Sequence, residues 1–99
     1  MPVPSQLEAS WRAAVDDRDP LAALRAARTL REALLDWESQ LARAALAGGE
    51  TWETIGAALG ISRQAAWERL RRGIAGQIEA ERQRLRAERA RLAEQRRKR

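Results

Sequence analysis

An all-α fold is predicted by three features of the 99-residue sequence. Strong helix formers dominate, with alanine alone supplying 21 of the 44 hydrophobic residues, while Val, Ile and Thr are scarce. Apolar residues recur at spacings of three and four, the period of a helix rather than of a strand. Pro20, Gly48-Gly49 and Gly60 fall between the periodic stretches and punctuate them. The chain is short enough to bury only ~65% of the surface its unfolded form exposes. With four aromatic residues, all Trp, its core has to come from close helix approach around a few Leu, Ile and Trp anchors.

The elements follow in order. Ser5-Gln6-Leu7-Glu8 has the form of a capping box, and Leu7, Trp11 and Val15 then share a face, which predicts a helix from Gln6 to Asp16 closed by Asp17-Arg18. Asp19-Pro20 opens the next helix, with Asp as N-cap and Pro in the first turn, where its missing N–H costs nothing. Leu21, Leu24, Leu30, Leu34, Trp37 and Leu41 trace an apolar stripe toward Leu46, a helix of up to about 28 residues ended by Gly48-Gly49. Trp11, Trp37 and Trp52 lie on such stripes and are expected in the core. Thr51 caps a third helix with Glu53 near its positive end. There Ile55 and Leu59 share a face, and Gly56 and Ala58 are small enough to admit a neighbouring helix.

Gly60 follows the last buried residue of that helix, where a left-handed conformation is needed to reverse the chain. Ile61 plugs the corner and Ser62 caps a fourth helix running to Arg72, with Gly73 and Gly76 as weak points beyond it. Residues 77–99 form a helical arm with ion pairs such as Glu81–Arg84 and Glu94–Lys98 at spacing three or four. Ile78, Leu85 and Leu92 recur there every seven residues, but their companion heptad positions are polar, so a stable coiled coil is poorly supported. The architecture expected is an N-terminal helical hairpin (1–49), a central helix-turn-helix (50–76) and a long basic C-terminal arm (77–99).

Composition narrows the function. The chain has neither Cys nor His, which removes disulfides, the usual zinc sites and the Cys/His and Ser/His/Asp nucleophiles, so neither an enzyme nor a cofactor or small-molecule substrate is expected. Asp16, Asp17 and Asp19 read as turn and cap residues rather than as a cation site. No apolar run nears the ~20 residues of a membrane span, no basic segment leads an apolar one at the N-terminus, and a cytoplasmic, nucleoid location follows. Residues 77–99 hold nine Arg and Lys against four Glu, while residues 1–76 hold ten charges of each sign, so the whole net charge of +5 lies in the arm. A neutral body with a basic arm suits a polyanionic partner.

Trp52-Glu53-Thr54-Ile55-Gly56, followed by Leu59-Gly60-Ile61-Ser62-Arg63-Gln64-Ala65-Ala66, resembles the helix-turn-helix segments of bacterial transcription regulators, of the promoter-reading region of sigma factors and of small actinobacterial DNA-binding proteins. The resemblance spans residues 50–72 and departs at Arg69, where the pattern has an apolar residue whose place Leu70 would take. It implies that the helix beginning at Ser62 enters the major groove of double-stranded DNA. Ala65, Ala66 and Leu70 would then face inward, and Ser62, Arg63, Gln64, Trp67, Glu68, Arg71 and Arg72 outward. Arg63 has the chemistry to read guanine and Gln64 adenine, or either could hold a phosphate, and Trp67 is either core or a contact to thymine methyls or backbone. Arg82, Arg86, Arg89, Arg96 and Arg97 would lie on the phosphate backbone. A homodimer through the N-terminal hairpin is expected, because the stripe from Leu21 to Leu46 exceeds what one short helix can cover. The expected role is a small transcriptional regulator or nucleoid-associated protein. The alternatives are a protein-interaction adaptor of the transcription machinery, a phage or a plasmid, docking through its long helices, and RNA binding through the arm.

Overall fold

The computed structural model describes residues 2–16 and 18–98, and Asp17, expected to help close the first helix, lies outside them. Four helices account for the described chain: α1 (Ser5–Asp16), α2 (Pro20–Ala47), α3 (Trp52–Leu59) and α4 (Arg63–Arg97), with no strand among the described residues. The all-α expectation holds.

Local chemistry sets most boundaries. Asp19 caps α2 by accepting from the Leu21 N–H at 3.2 Å, with Pro20 behind it. α2 runs for 28 residues, and Gly48 and Gly49 end it by donating back to the carbonyls of Ala44, Ala45 and Leu46. Thr51 and Ser62 cap α3 and α4 by accepting the N–H groups of Thr54 and Ala65. Gly60 is left-handed, with φ 72° and ψ 24°. α1 departs from expectation, since Ser5 is its first helical residue and the Pro4 carbonyl takes the first N–H groups, from Leu7 and Glu8. The Ser5/Glu8 capping box is not formed, because a residue already inside the helix cannot act as its cap.

The core is small and lies where three helices meet. Ala42 of α2, Ile55 of α3, and Ala66 and Leu70 of α4 are buried, with Ala45, Leu46, Trp52, Leu59, Ile61 and Ile74 packed around them. Two glycines permit this packing. A Cβ on Gly56 would sit 2.8 Å from the Ile61 carbonyl oxygen and 2.9 Å from that of Ser62, so only glycine lets α3 fold against the start of α4. A Cβ on Gly73 would sit 2.8 Å from the Cβ of Ser39, so Gly73 marks the close approach of α4 to α2. Ala58, expected to share this role with Gly56, is exposed.

Gly73 and Gly76 do not end α4, which continues unbroken for 35 residues, about 52 Å at 1.5 Å per residue. Interior glycine costs roughly 1 kcal/mol against alanine, and the packing at Gly73 and the helix formers beyond outweigh it. α2 and α4 run in the same direction across their contact, since paired residues advance together along both: Glu38 with Arg69, Ser39 with Gly73, Arg43 with Glu81. α4 then outruns α2, and residues 82–98 are exposed.

α1 packs on α2 alone. The face it covers uses Leu7, Ser10 and Ala14, and of these only Ser10 is buried, its hydroxyl donating to the Gln6 carbonyl at 2.8 Å. Two of the tryptophans expected as core anchors are not in the core. Trp11 is 58% exposed because it stands on the flank of α1 rather than on the face toward α2, and Trp37 is half-buried outside the core cluster. Trp52 does pack against the core.

The ion pairs that tie α4 to α2 are not those of the helix-face pattern. Glu81 reaches across to Arg43 in a two-pronged pair, at 2.8 and 2.9 Å, and Arg84 adds only a weaker pull. Glu94 lies 3.9 Å from Arg97 instead of pairing with Lys98. The hydrogen bonds from Arg43 hold Glu81 below the usual carboxylate range and hold Arg43 more firmly protonated. Because the Glu81 carboxyl titrates lower folded than unfolded, the pair stabilises the fold fully above the unfolded value, and that contribution is lost as pH falls through the folded one. Glu81→Gln is expected to melt slightly below the parent near neutrality, and the difference should vanish on acidification. A gap that is constant down the pH series in thermal melts would show that the pair does not act electrostatically.

At the turn, Gly60→Val places a β-branched residue at positive φ with open space around it, so backbone strain alone carries the effect. A loss of more than ~1 kcal/mol in denaturant melts is expected.

Candidate nucleic-acid interface

The packing of α4 decides which of its side chains are left to act. Ala66 and Leu70 are buried and Ala65 half-buried, while Ser62, Arg63, Gln64, Trp67, Glu68, Arg71 and Arg72, around the rest of the helix start, are every one of them exposed. Leu70, not residue 69, fills the core position, and Arg69 turns away to pair with Glu38 of α2 at 2.9 Å. The departure from the apolar pattern at Arg69 is thus accommodated, with Leu70 in the core place. Nothing in the spacing of the sequence signals this pair, whose members stand 31 residues apart.

Several of the exposed side chains are pre-arranged. Ser62 accepts the Ala65 N–H at 3.1 Å, which leaves its own O–H free to donate. Gln64 donates to Glu68 at 3.0 Å, holding its amide along the helix surface. The Arg71 guanidinium lies 4.8 Å above the centre of the Trp67 ring, a cation–π contact that fixes the indole. Trp67 is 42% exposed, and with Trp52, Ser62, Arg63 and Gln64 it lines an open cleft of about 620 Å³ where α3 and α4 begin. Of the two positions open to Trp67 from the sequence, the outward one is observed.

From the head of α4 the basic surface continues into the arm. Gln64, Arg71, Arg82, Arg89 and Arg96 recur at intervals of seven and eleven residues, near-whole numbers of turns, so they form one line along the helix with Arg86 beside it. Arg82, Arg86, Arg89, Arg96 and Arg97 are all exposed, while Glu81 and Glu88 lie off the line. The arm thus shares one helix with the residues that the helix-turn-helix presents. It also exposes Leu85 and Leu92, with Ile78 half-buried at its base.

Among the described residues no group of three or more His, Cys, Asp or Glu is placed to hold a metal ion, and no helix is long and apolar enough to cross a membrane. Comparison of the chain with protein-family models, with curated proteins and with solved structures gives no match.

Proposed function

We propose that this protein binds double-stranded DNA, presenting the head of α4 to the major groove and the arm to the phosphate backbone. One observation carries the reading: a short helix, a left-handed glycine and a capped second helix pack so that Ser62, Arg63, Gln64, Trp67, Glu68, Arg71 and Arg72 are all left exposed, at the head of the helix that also bears the net positive charge. The N-terminal turn of α4 is where a groove-inserted helix reaches base edges. Arg63 and Gln64 stand there with the donors and acceptors that guanine and adenine present. The rod of about 52 Å is several times longer than the groove's ~12 Å width. The arm therefore leaves the groove, and its arginines act at backbone phosphates. The role that suits such a protein is a small regulator of transcription or a nucleoid-associated protein, without catalysis or a small-molecule substrate. A second reading, docking of the arm on a partner of the transcription machinery, draws on the exposed Leu85 and Leu92.

The test is duplex binding across a salt series. Log affinity is expected to fall with log salt by about 0.9 per phosphate neutralised, and changing Arg82, Arg86, Arg89, Arg96 and Arg97 to Gln should flatten that slope by several units. Arg63→Ala should cost ~1–3 kcal/mol on a selected site and much less on random duplex. Absence of duplex binding at low salt sinks the reading.

Pairing of two chains belongs to the same proposal, since it would offer two heads to successive turns of a duplex. The accessible surface is 7976 Å², whereas a compact monomer of 11.1 kDa should expose about 5,650 Å². A standard interface needs only about 800 Å² from each partner. Besides the arm, the hairpin supplies that excess, for it buries no hydrophobic side chain between residues 2 and 41 and exposes Val3, Trp11, Val15, Leu21, Leu24, Leu34, Leu35 and Leu41. Two such hairpins can close into a four-helix bundle. Sedimentation without DNA is expected to give a species of twice the 11.1 kDa chain mass, and Trp11→Arg with Leu34→Glu to return it to one. A single chain at roughly 100 µM, far above a micromolar dissociation constant, would exclude the dimer.

A further inference from the structure

Trp67 is the single large apolar side chain among the outward residues of Ser62 to Arg72, and its setting is specific. Arg71 lies over its ring, and the indole lines both a cleft on the α2 side and the one shared with Trp52, whose rim is made by Ser62, Arg63 and Gln64. The latter cleft therefore offers aromatic surface beside hydrogen-bonding groups, at the end of α4 that the DNA reading directs into the groove.

The major-groove edges of the base pairs present donors and acceptors, and only one apolar group, the C5-methyl of thymine, which 5-methylcytosine shares. An indole has one N–H donor and no charge, which makes it a poor partner for phosphate where Arg63 and Arg71 stand beside it. We propose that Trp67, braced by Arg71 and backed by Trp52, is a specificity-determining contact for the 5-methyl group of a pyrimidine, with Arg63 and Gln64 reading adjoining base edges. The proposal rests on the DNA reading and adds to it the chemical feature selected: a thymine, or a methylated cytosine, under the first two turns of α4. The cation–π stack matters because a ring already held in place loses little side-chain freedom on contact.

The experiment uses the full chain and duplexes selected from a random pool, synthesised with thymine or with uracil, which differs only by the missing methyl. The parent protein should bind the uracil duplex about fourfold more weakly for each methyl contacted, the burial of one carbon. Trp67→Ala should bind the two duplexes alike, and Trp67→Phe, which keeps an apolar ring, should retain part of the discrimination. Trp67 lies outside the core cluster, so both variants are expected to match the parent in circular dichroism and melting. Equal binding of thymine and uracil duplexes by the parent overturns the proposal while leaving DNA binding intact. A loss in Trp67→Ala that is the same on both duplexes also overturns it, by making Trp67 a backbone contact. Failure to bind either duplex removes the DNA reading together with it.

Discussion

The three-helix core of this fold depends on how closely α4 can approach its neighbours. Only Ala42, Ile55, Ala66 and Leu70 are buried there, and two of the four are alanines. Gly56 and Gly73 remove the side chains that would keep α3 and α2 away from α4, and backbone contact then makes up for the missing bulk. Ser39 is the counterpart of Gly73, almost fully buried and satisfied within its own helix by donating to the Leu35 carbonyl at 3.0 Å. A serine that bonds its own backbone can be buried against a glycine without leaving a polar group unmet. Arg69–Glu38 and Arg43–Glu81 then bracket that approach along α4.

What the sequence disclosed, and what it hid, divides along the range of the interaction. The Asp19, Thr51 and Ser62 caps, the Gly48-Gly49 stop and the left-handed Gly60 were legible because each depends on a few consecutive residues. The outward set on α4 followed from knowing that Ala65, Ala66 and Leu70 must face in. The unbroken α4 was not legible, because Gly73 reads as a helix breaker until the Ser39 it faces is known. Trp11 departs from its expected place for a related reason: a periodic stripe fixes which residues share a face but not which part of that face another helix covers. The cross-helix pairs of Arg43 and Arg69 join residues 38 and 31 apart in sequence and leave no local trace.

The body and the arm divide the electrostatic work. At the α2–α4 contact four charged side chains are spent on structure: Glu38 and Arg69 on one side, Arg43 and Glu81 on the other. Such partly exposed pairs add little stability but fix register, since α4 cannot slide along α2 without parting both. Past Glu81 every described side chain of α4 is exposed. An isolated helix of this length gains from strong helix formers and loses by having no packed face. A polyanion laid along the arginine line would supply the missing partner.

The continuity of α4 ties these two regions mechanically. A break at Gly73 would have let the arm choose its own direction, whereas one helix from Arg63 to Arg97 fixes the angle between the head and every arginine beyond it. Ser39 sets instead how α4 sits on α2, because Gly73 rests on it and the ion pairs hold α4 to either side. In the proposed complex the head could therefore not rotate in a groove without swinging the arm, nor the arm settle on phosphates without aiming the head. Selectivity at the head and attraction along the arm would be coupled through one rigid helix. It follows that a side chain at Gly73, although remote from every exposed residue that would meet DNA, would shift how all of them are presented.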